Sequence, residues 1–521
     1  MTPVVLFSFV IGYFLLLLTV AYFTSKGSNN ESFFIGNRNS NWMLVAFGMI
    51  GTSLSGVTFV SVPGAVGKPM AGGGVEGFTY FQIVLGYIIG YLLIAYVLLP
   101  LYYRLNLTSI YNYLQSRLGF VSYKTGASFF ILSRTLGATA RLYLVVKILQ
   151  DSIFANLGQS FHIPFWLTTL VILVMILLYT YEGGVKTIVY TDTLQTTCML
   201  AGLIVCIIFI LNKLDVGLGT ALSNMSEKGY NNIFVTDPSS KLFILKQIVA
   251  GAFITLTMTG LDQEMMQKNI SVKTLGDAKK NMITIAVILT VVISLFLVLG
   301  GALYLYSDSL GGHFKTVIDA GKPVTKYFIM EKDALTGLMK ETPLASDATF
   351  PYMAIKTMPP YISIIFVIAL ISALFPSADG AITALTASFC IDIIGMQRSK
   401  TMTEADQKRV RKIVHLSFAG VFLLFVMMFY WINNPSMIGV ILKVAGYTYG
   451  PLLGLFAFGI LTKRSITDKL VPVVCIAAPI ICFFIDKYQN KIFGSFEIGL
   501  ELLVINGLLT FSGLLAISKK K

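Results

Sequence analysis

Charged residues are scarce in this chain of 521 residues. Asp, Glu, Lys and Arg together account for 12% of the sequence, whereas hydrophobic residues account for 55%. A soluble domain usually carries about 25% charged residues. The composition therefore argues against a soluble protein and indicates a chain that is surrounded mainly by lipid.

Cysteine and histidine are also few, with five and three copies. No two cysteines form a CxxC pair and the histidines do not cluster, so we expect neither a disulfide framework nor a zinc site. An intramembrane enzyme would need a nucleophile–base pair or a metal cluster at membrane depth. The sequence offers neither, and we therefore do not expect an enzyme.

Long apolar runs, in contrast, are abundant. A helix needs roughly 20 mainly apolar residues to cross the hydrocarbon core. About thirteen such runs follow one another, which predicts an all-α integral membrane protein with about thirteen transmembrane helices. The runs cover 3–24, 42–64, 78–104, 125–150, 162–180, 185–212, 242–264, 281–306, 359–391, 412–431, 437–462, 470–485 and 499–518.

The chain is basic, with a formal net charge of +14 at pH 7. In a membrane protein, Lys and Arg that collect in cytoplasmic loops explain such a charge better than nucleic-acid binding does. The N-terminus is then outside, the C-terminus is cytoplasmic, and the protein is a multi-pass protein of the plasma (inner) membrane. The loop at 151–162 lies outside, and 307–358 forms a small extracellular cap with some helix. The basic segments assigned to the cytoplasm are 265–280, 397–412, 463–469 and 519–521.

Three apolar runs are interrupted by Gly, Ser, Thr or Pro, at 51–58, 251–260 and 446–451. Irregular backbone at membrane depth is tolerated only where it lines a cavity, and an unwound turn frees carbonyl oxygens for a hard cation such as Na⁺. The first two breaks lie in spans five apart, which is typical of an inverted-repeat transporter site. The alternative is that these small residues only allow helices to pack closely.

Two carboxylates stand inside apolar runs, where an ionisable group is costly and functional by default. Asp192 lies near the start of the sixth run and Asp379 lies in the ninth. Pro376 has no N–H, so it cannot donate a hydrogen bond to the Ser372 carbonyl. The carbonyl oxygen freed in this way is close to Ser377 and Asp379. The hydroxyl, carbonyl and carboxylate oxygens there suit an alkali cation. The alternative is a proline kink with Asp379 hydrogen-bonded to a neighbouring helix.

Three basic side chains also lie in apolar runs. Arg134 and Arg141 are about two helical turns apart and therefore point the same way. Lys443 lies just before the third break. If these groups face a cavity, they favour a solute with a carboxylate. Alternatively, they snorkel or pair with carboxylates such as Asp192 or Asp379.

Several separated motifs, taken in order, resemble the sodium/solute symporter family, whose members transport sugars, proline, pantothenate, iodide or sialic acid. The resemblance runs from about residue 5 to 465, and the joint order of the motifs makes it specific. The motifs are SFFIGNR (32–38), SLSGVTF (53–59), LTSIYNYL (107–114), GGVKTIVYTD (183–192), DQEMMQK (262–268) and GPLLG (450–454).

The resemblance implies a five-plus-five inverted repeat with broken helices, which works by alternating access. Its halves would be 42–212 and 242–462, preceded by an extra helix at 1–24 and followed by C-terminal helices at 470–518. It also implies Na⁺ as the coupling ion. The positions that match the principal sodium site of the family are Gly51, Leu54, Ala373 and Ser377.

The chain departs from the family pattern at the neighbouring positions. The family commonly has a second hydroxyl beside Ser377, where this chain has Pro376. Some members hold a second sodium with two further hydroxyl residues and with the acid that matches Asp192. In this chain the two hydroxyl positions are occupied by Asp379 and Gly380. Two nearby carboxylates in a low dielectric do not both stay ionised without a cation. We therefore expect Asp379 and Asp192 to help hold a second cation, or one of them to take a proton.

The resemblance also supplies candidate solute contacts near the broken helices. A tyrosine gate present in some sugar carriers would fall near Met258, which weakens a sugar interpretation. We predict a symporter that couples inward Na⁺ flow to uptake of a small organic solute, with an anionic solute favoured and no obligatory protein partner. Alternatives are a neutral sugar or amino-acid symporter of the same fold, or a transport-inactive sensor. The candidate solute contacts are Ser53, Ser55, Thr58, Gln82, Arg141 and Thr255.

Overall fold

Helices dominate the computed structural model of the chain. The described residues are 3–26, 33–34, 36–70, 73–152, 163–181, 184–319, 322–332, 338–399, 401–432 and 437–520, so most of the loop predicted at 151–162 lies outside them. The helices are α1 (Pro3–Ser25), α2 (Trp42–Ser53), α3 (Gly56–Ala65), α4 (Tyr80–Arg104), α5 (Asn112–Arg117), α6 (Phe120–Ser152), α7 (Phe165–Thr180), α8 (Gly184–Lys213), α9 (Leu218–Glu227), α10 (Ile244–Gly260), α11 (Gln263–Ile270), α12 (Leu275–Ser309), α13 (Ser346–Tyr352), α14 (Pro360–Ile394), α15 (Glu404–Ile432), α16 (Met437–Thr448), α17 (Gly450–Leu461), α18 (Val471–Phe493) and α19 (Leu502–Ala516).

Many of these helices are suited to a membrane. In the described ranges, eight are long and apolar enough to cross one, and three bent pairs bring the number to eleven. Two shorter apolar helices, α7 and α19, match two further predicted runs. The multi-pass helical architecture is thus confirmed, whereas the exact number of thirteen spans stays a prediction.

The long helix α12 illustrates why lipid is the solvent. Ile285 and Leu289 are buried, and Val287 and Val291 on the same helix are 60% and 55% exposed. A helix that is apolar on every side belongs in a protein core or a membrane. The exposed valines of α12 therefore form a surface that suits acyl chains.

The predicted cap contains a sheet, so the expectation of an all-α chain is wrong in this segment. Strands β1 (His313–Asp319), β2 (Lys322–Lys332) and β3 (Met339–Leu344) form an antiparallel sheet in the order β1-β2-β3. The strands are rich in β-branched and aromatic residues, which favour a half-buried pleated surface. Tyr327 anchors the sheet on α12, because its ring packs edge-on against Tyr304 at 5.0 Å and its hydroxyl donates to Asp308 at 2.8 Å.

All three predicted helix breaks are present. The pair α2–α3 is bent by 58° at Leu54 and Ser55, and the pair α16–α17 is bent by 44° at Tyr449. The pair α10–α11 is bent by 64°, and this bend lies at Leu261 and Asp262, just after the segment predicted from glycine and threonine. Inside that segment the chain forms a π-helical turn, Leu256–Gly260.

The prediction that 265–280 is a cytoplasmic loop is wrong for its first six residues. Asp262 caps a new helix, because its carboxylate accepts from the backbone N–H of Glu264 at 2.9 Å and of Met265 at 3.3 Å. Every residue of α11 is buried. Its polar residues are typical of a loop in a membrane protein, but here they lie in the protein interior, where they need partners.

Candidate functional site

The break between α2 and α3 lies against the middle of α14. A Cβ added at Gly51 would stand 3.7 Å from Pro376 Cγ, and one added at Gly56 would stand 3.7 Å from the Leu374 nitrogen. Two glycines therefore let the two backbones approach closely where α2 ends and α3 begins. The break, with Gly51 and Leu54, therefore lies against the segment of α14 that carries Ala373 and Ser377, and all four of these positions expected from the family's principal sodium site are buried.

Besides Ser53 Oγ at the end of α2, two hydroxyls in this region have no hydrogen-bond partner within the described chain. They are Ser377 Oγ on α14 and Thr196 Oγ1 on α8, and both side chains are buried. A Cβ at Gly51 would overlap Thr196 Oγ1, so this hydroxyl lies directly beside the break. Buried polar atoms are rarely unpaired, and each unpaired one needs an explanation. The helix α14 also runs unbroken through Pro376, which leaves the Ser372 carbonyl without its helical donor.

Sequence reasoning missed Thr196. The signal was available, because Thr196 follows Asp192 by one helical turn and residues four apart share a helix face.

A cavity of about 110 Å³ opens between the broken helices and α4, α6 and α16. Five of the six predicted solute residues line it, with Gln82 as the exception. Met258, which matches the tyrosine gate of some sugar carriers, also lines the cavity. The predicted residues that line it are Ser53, Ser55, Thr58, Arg141 and Thr255.

Gln82 has a different role from the predicted one. Its amide nitrogen donates to the Leu242 carbonyl at 3.1 Å, and its oxygen accepts from the Val235 N–H at 3.3 Å. These bonds hold α4 to the segment before α10, away from the cavity. The residues of α4 that do line the cavity are three tyrosines, which sequence reasoning missed: Tyr80, Tyr87 and Tyr91.

Arg134 and Arg141 both line the cavity, so the prediction that they point the same way is confirmed. Arg134 is paired with Glu264 and lies 3.9 Å from Asp262, rather than with the two aspartates suggested by the sequence. Among the described residues, no carboxylate lies within ion-pair distance of Arg141, and no hydrogen bond involves its side chain. Arg141 thus presents to the cavity a guanidinium without a direct carboxylate partner, and Glu264 and Asp262 act on its charge from a distance.

Lys443 belongs to a different environment. Its amine lies 2.7 Å from Asp486 on α18, and its side chain is 58% exposed. The interpretation as a helix-to-helix pair therefore fits Lys443, and the solute interpretation does not.

A second buried ion pair lies beside the first break. Lys268 Nζ on α11 stands 2.7 Å from Asp192 Oδ2, 2.7 Å from Thr52 Oγ1 and 3.5 Å from Glu264 Oε1. The side chain of Lys268 is 3% exposed and that of Asp192 is fully buried. Lys268 and Glu264 were not predicted as site residues, because their polar surroundings in the sequence resemble a loop.

Asp379 lies in the same region of the interior. Its carboxylate accepts from the Tyr179 hydroxyl at 2.7 Å and from the backbone N–H of Gly380. It is close enough to Lys268 and Asp192 to interact with both electrostatically. The two predicted intramembrane carboxylates are therefore near each other, with an ammonium group between the helices that carry them.

Comparisons with known proteins agree with this architecture. The sequence model of the "Sodium:solute symporter family" matches residues 33–468. The sodium/sialic acid symporter of Proteus mirabilis is 22% identical over 95% of this chain and 92% of its own length. The sodium-coupled monocarboxylate transporter 1 of Mus musculus is 25% identical over 88% of this chain and 69% of its own length. A solved substrate-bound, outward-open Na⁺-coupled sialic acid symporter has the same fold, with a TM-score of 0.78, 19% identity and 99% coverage of both chains.

Proposed function

The chain belongs to the sodium:solute symporter family, and from that premise we propose that Na⁺ flowing into the cell drives the uptake of a small organic anion. It is a Na⁺-coupled symporter in a membrane, and it is not an enzyme.

The sodium site of the proposal is formed by carbonyls at Gly51, Leu54 and Ala373 and by the Ser377 hydroxyl. The close approach of α2–α3 to α14 and the unpartnered Ser377 Oγ support this assignment. Oxygen ligands suit a hard cation, and backbone freed at a helix break supplies them without a carboxylate in direct contact. Asp192 and Asp379 contribute negative charge to the same buried region, which favours a cation there.

The single observation that carries the solute assignment is the unpaired guanidinium of Arg141 in the cavity. This guanidinium is half-buried at the cavity, and a carboxylate is the group that a planar guanidinium binds best. The names of two relatives refer to carboxylate-bearing solutes, sialic acid and monocarboxylates. Hydroxyls on the same wall, from Ser53, Ser55 and Thr58, suit the polar remainder of such a solute.

The alternating-access part of the proposal uses an inverted repeat with halves 42–212 and 242–462. The first helix of each half is a bent pair, with bends of 58° and 64°. Equivalent breaks at the start of two halves support a rocking motion about a site at the midplane. In this arrangement 1–24 and 470–518 are peripheral, the N-terminus faces outward and the C-terminus is cytoplasmic.

Reconstituted protein tests the proposal. Labelled sialic acid and short monocarboxylates, followed by neutral sugars and amino acids, are offered to proteoliposomes with and without an inward Na⁺ gradient. We expect accumulation of a carboxylate only with the gradient. Because a lost charge-assisted bond is worth about 1.5–3 kcal/mol, Arg141→Gln should weaken apparent affinity by about 10-fold to 100-fold.

Lys443→Gln is the matched control, since it removes an equal charge from a side chain that pairs with Asp486 and does not line the cavity, and it should leave affinity unchanged. Carboxylate uptake that ignores the Na⁺ gradient would contradict the coupling. Equal behaviour of the two variants would contradict the role of Arg141, and accumulation of a neutral sugar alone would favour the alternative of a neutral solute.

A further inference from the structure

The amine of Lys268 is surrounded as a bound cation would be. Three oxygens face it, from Asp192, Thr52 and Glu264, at 2.7, 2.7 and 3.5 Å. A lysine ammonium has three donors and no acceptor. Asp192 Oδ2 and Thr52 Oγ1 accept hydrogen bonds from it, and Glu264 Oε1 is an ion-pair partner without a hydrogen bond. The amine is also almost completely buried, with its side chain 3% exposed.

The position of this amine links the two broken pairs. Lys268 lies on α11, which is the second half of the pair α10–α11. Thr52 lies on α2 next to Gly51, and Asp192 lies on α8. A positive charge that belongs to one broken pair therefore contacts the other broken pair beside the proposed sodium ligands.

The surrounding backbone leaves room for this group. A Cβ at Gly380 would overlap Glu264 Oε1 and stand 3.1 Å from Lys268 Nζ. A Cβ at Gly48 would stand 3.1 Å from the Asp192 Cβ. Asp379 also interacts electrostatically with the Lys268 ammonium. Arg134 forms an ion pair with the other carboxylate oxygen of Glu264, Oε2.

We propose that the Lys268 ammonium is a tethered cation that takes the place of a second Na⁺ beside Asp192, so that each transport cycle moves a single Na⁺. This inference rests on the proposed Na⁺-coupled function and assigns its stoichiometry. A covalently tethered charge cannot dissociate with the solute. It therefore compensates Asp192 without adding to the charge that moves down the gradient.

Removal of the ammonium should create a second site for a soluble ion. Asp192 Oδ1 and Thr196 Oγ1 are buried and have no hydrogen-bond partner among the described residues. In a Lys268→Gln variant, the Asp192 carboxylate would lose its ammonium partner, and the hydroxyls of Thr196 and Thr52 would lie beside it. A buried carboxylate without a partner either takes a proton or recruits a cation, and saturating Na⁺ supplies that cation.

Equilibrium binding of radiolabelled Na⁺ to the purified full-length protein, at saturating Na⁺ and without solute, tests the inference. We expect one Na⁺ per chain for the unmodified protein and for Lys268→Arg, which keeps the charge. We expect two for Lys268→Gln and one for the double variant Lys268→Gln/Asp192→Asn. Asp192→Asn alone, which keeps the lysine, should still bind one.

Two Na⁺ bound to the unmodified protein would overturn the inference, as would the loss of one bound Na⁺ in Asp192→Asn. A folded Lys268→Gln variant that binds only one Na⁺ would overturn it as well. If Lys268→Gln does not fold, Asp192→Asn and the unmodified protein still decide the question. The proposed function fails separately, if one Na⁺ binds but the solute accumulates without regard to the Na⁺ gradient.

Discussion

Gly380 stands in α14 directly against the buried ion pairs of Lys268 with Asp192 and Glu264. The helix itself would accept alanine at this position, because alanine is the best helix former. The neighbouring side chains would not, since a Cβ there would overlap Glu264 Oε1. The missing side chain at Gly380 is thus a condition for the arrangement of charges beside the sodium ligands.

The variant Gly380→Ala should therefore displace Glu264 or Lys268. Overpacking a tight interior typically costs about 1–3 kcal/mol, and we expect a lower midpoint of thermal unfolding together with slower Na⁺-driven uptake. Thermal unfolding in detergent and uptake by proteoliposomes measure the two effects.

Gly137→Ala is the control for this substitution, because no atom lies within 4 Å of the added Cβ in the membrane helix α6. It should leave uptake intact and change stability by a gain of at most about 1 kcal/mol. If Gly380→Ala behaved like Gly137→Ala, the packing of Gly380 against the ion pairs would affect neither uptake nor stability.

Single residues also show what sequence reasoning can reach. Arg141 and Lys443 look alike in the sequence, as basic residues in apolar runs, yet one faces the cavity and the other pairs with Asp486. Helical spacing placed Arg141 beside Arg134 correctly. Nothing local to the sequence identifies Asp486 as the partner of Lys443, because that contact depends on how distant helices pack.

At the scale of helices, the second and third breaks contact each other directly. The Tyr449 hydroxyl, at the bend between α16 and α17, donates to Asp262 Oδ2 at 2.8 Å, and Asp262 starts α11 at the bend after α10. Tyr111 adds a bond from its hydroxyl to the Leu261 carbonyl at 2.9 Å. Two interrupted helices thus satisfy each other's polar groups, which lipid would leave unpaired.

Tyr449→Phe tests this connection. The substitution removes one donor to a buried carboxylate and keeps the ring, so we expect a loss of about 1–3 kcal/mol in stability. Thermal unfolding in detergent should show a lower midpoint. Tyr361→Phe on α14 is the control, because Tyr361 is 57% exposed and should tolerate loss of its hydroxyl. Equal midpoints for the two variants would mean that the bond from Tyr449 does not stabilise the bends.

The helices differ in how well their sequences predict them. Long apolar runs such as α12 and α14 were located well, because composition alone decides that they cross lipid. The helix α11 was mistaken for a loop, since it has Gln, Glu, Lys and Asn within eight residues. Such a polar helix is stable in the interior because residues of other segments pair with it, among them Arg134, Asp192 and Asn281. A pattern within one segment cannot reveal partners of this kind.

At the scale of the whole molecule, the breaks in the sequence and the family motifs predicted the multi-pass helical fold and the cavity between its broken helices. The sheet of the cap was not foreseen, because it is a short, mixed segment between long apolar runs. The close approach of α2–α3 to α14 was expected from the resemblance. The ammonium of Lys268 beside Asp192 was not expected. It supplies a positive charge next to the two predicted carboxylates, where the sequence suggested a second cation or a proton.

Coupled transport by this protein depends on a Na⁺ bound between the first broken pair and α14. Two buried hydroxyls on α14, those of Ser377 and Thr383, have no partner in the described structure, and only Ser377 belongs to the proposed site. The most direct measurement is the Na⁺ concentration that gives half-maximal solute uptake in proteoliposomes. We predict a rise of about tenfold or more for Ser377→Ala, equivalent to about 1.4 kcal/mol, and no change for Thr383→Val. An unchanged half-saturating concentration in Ser377→Ala, or an equal rise in both variants, would contradict the sodium site.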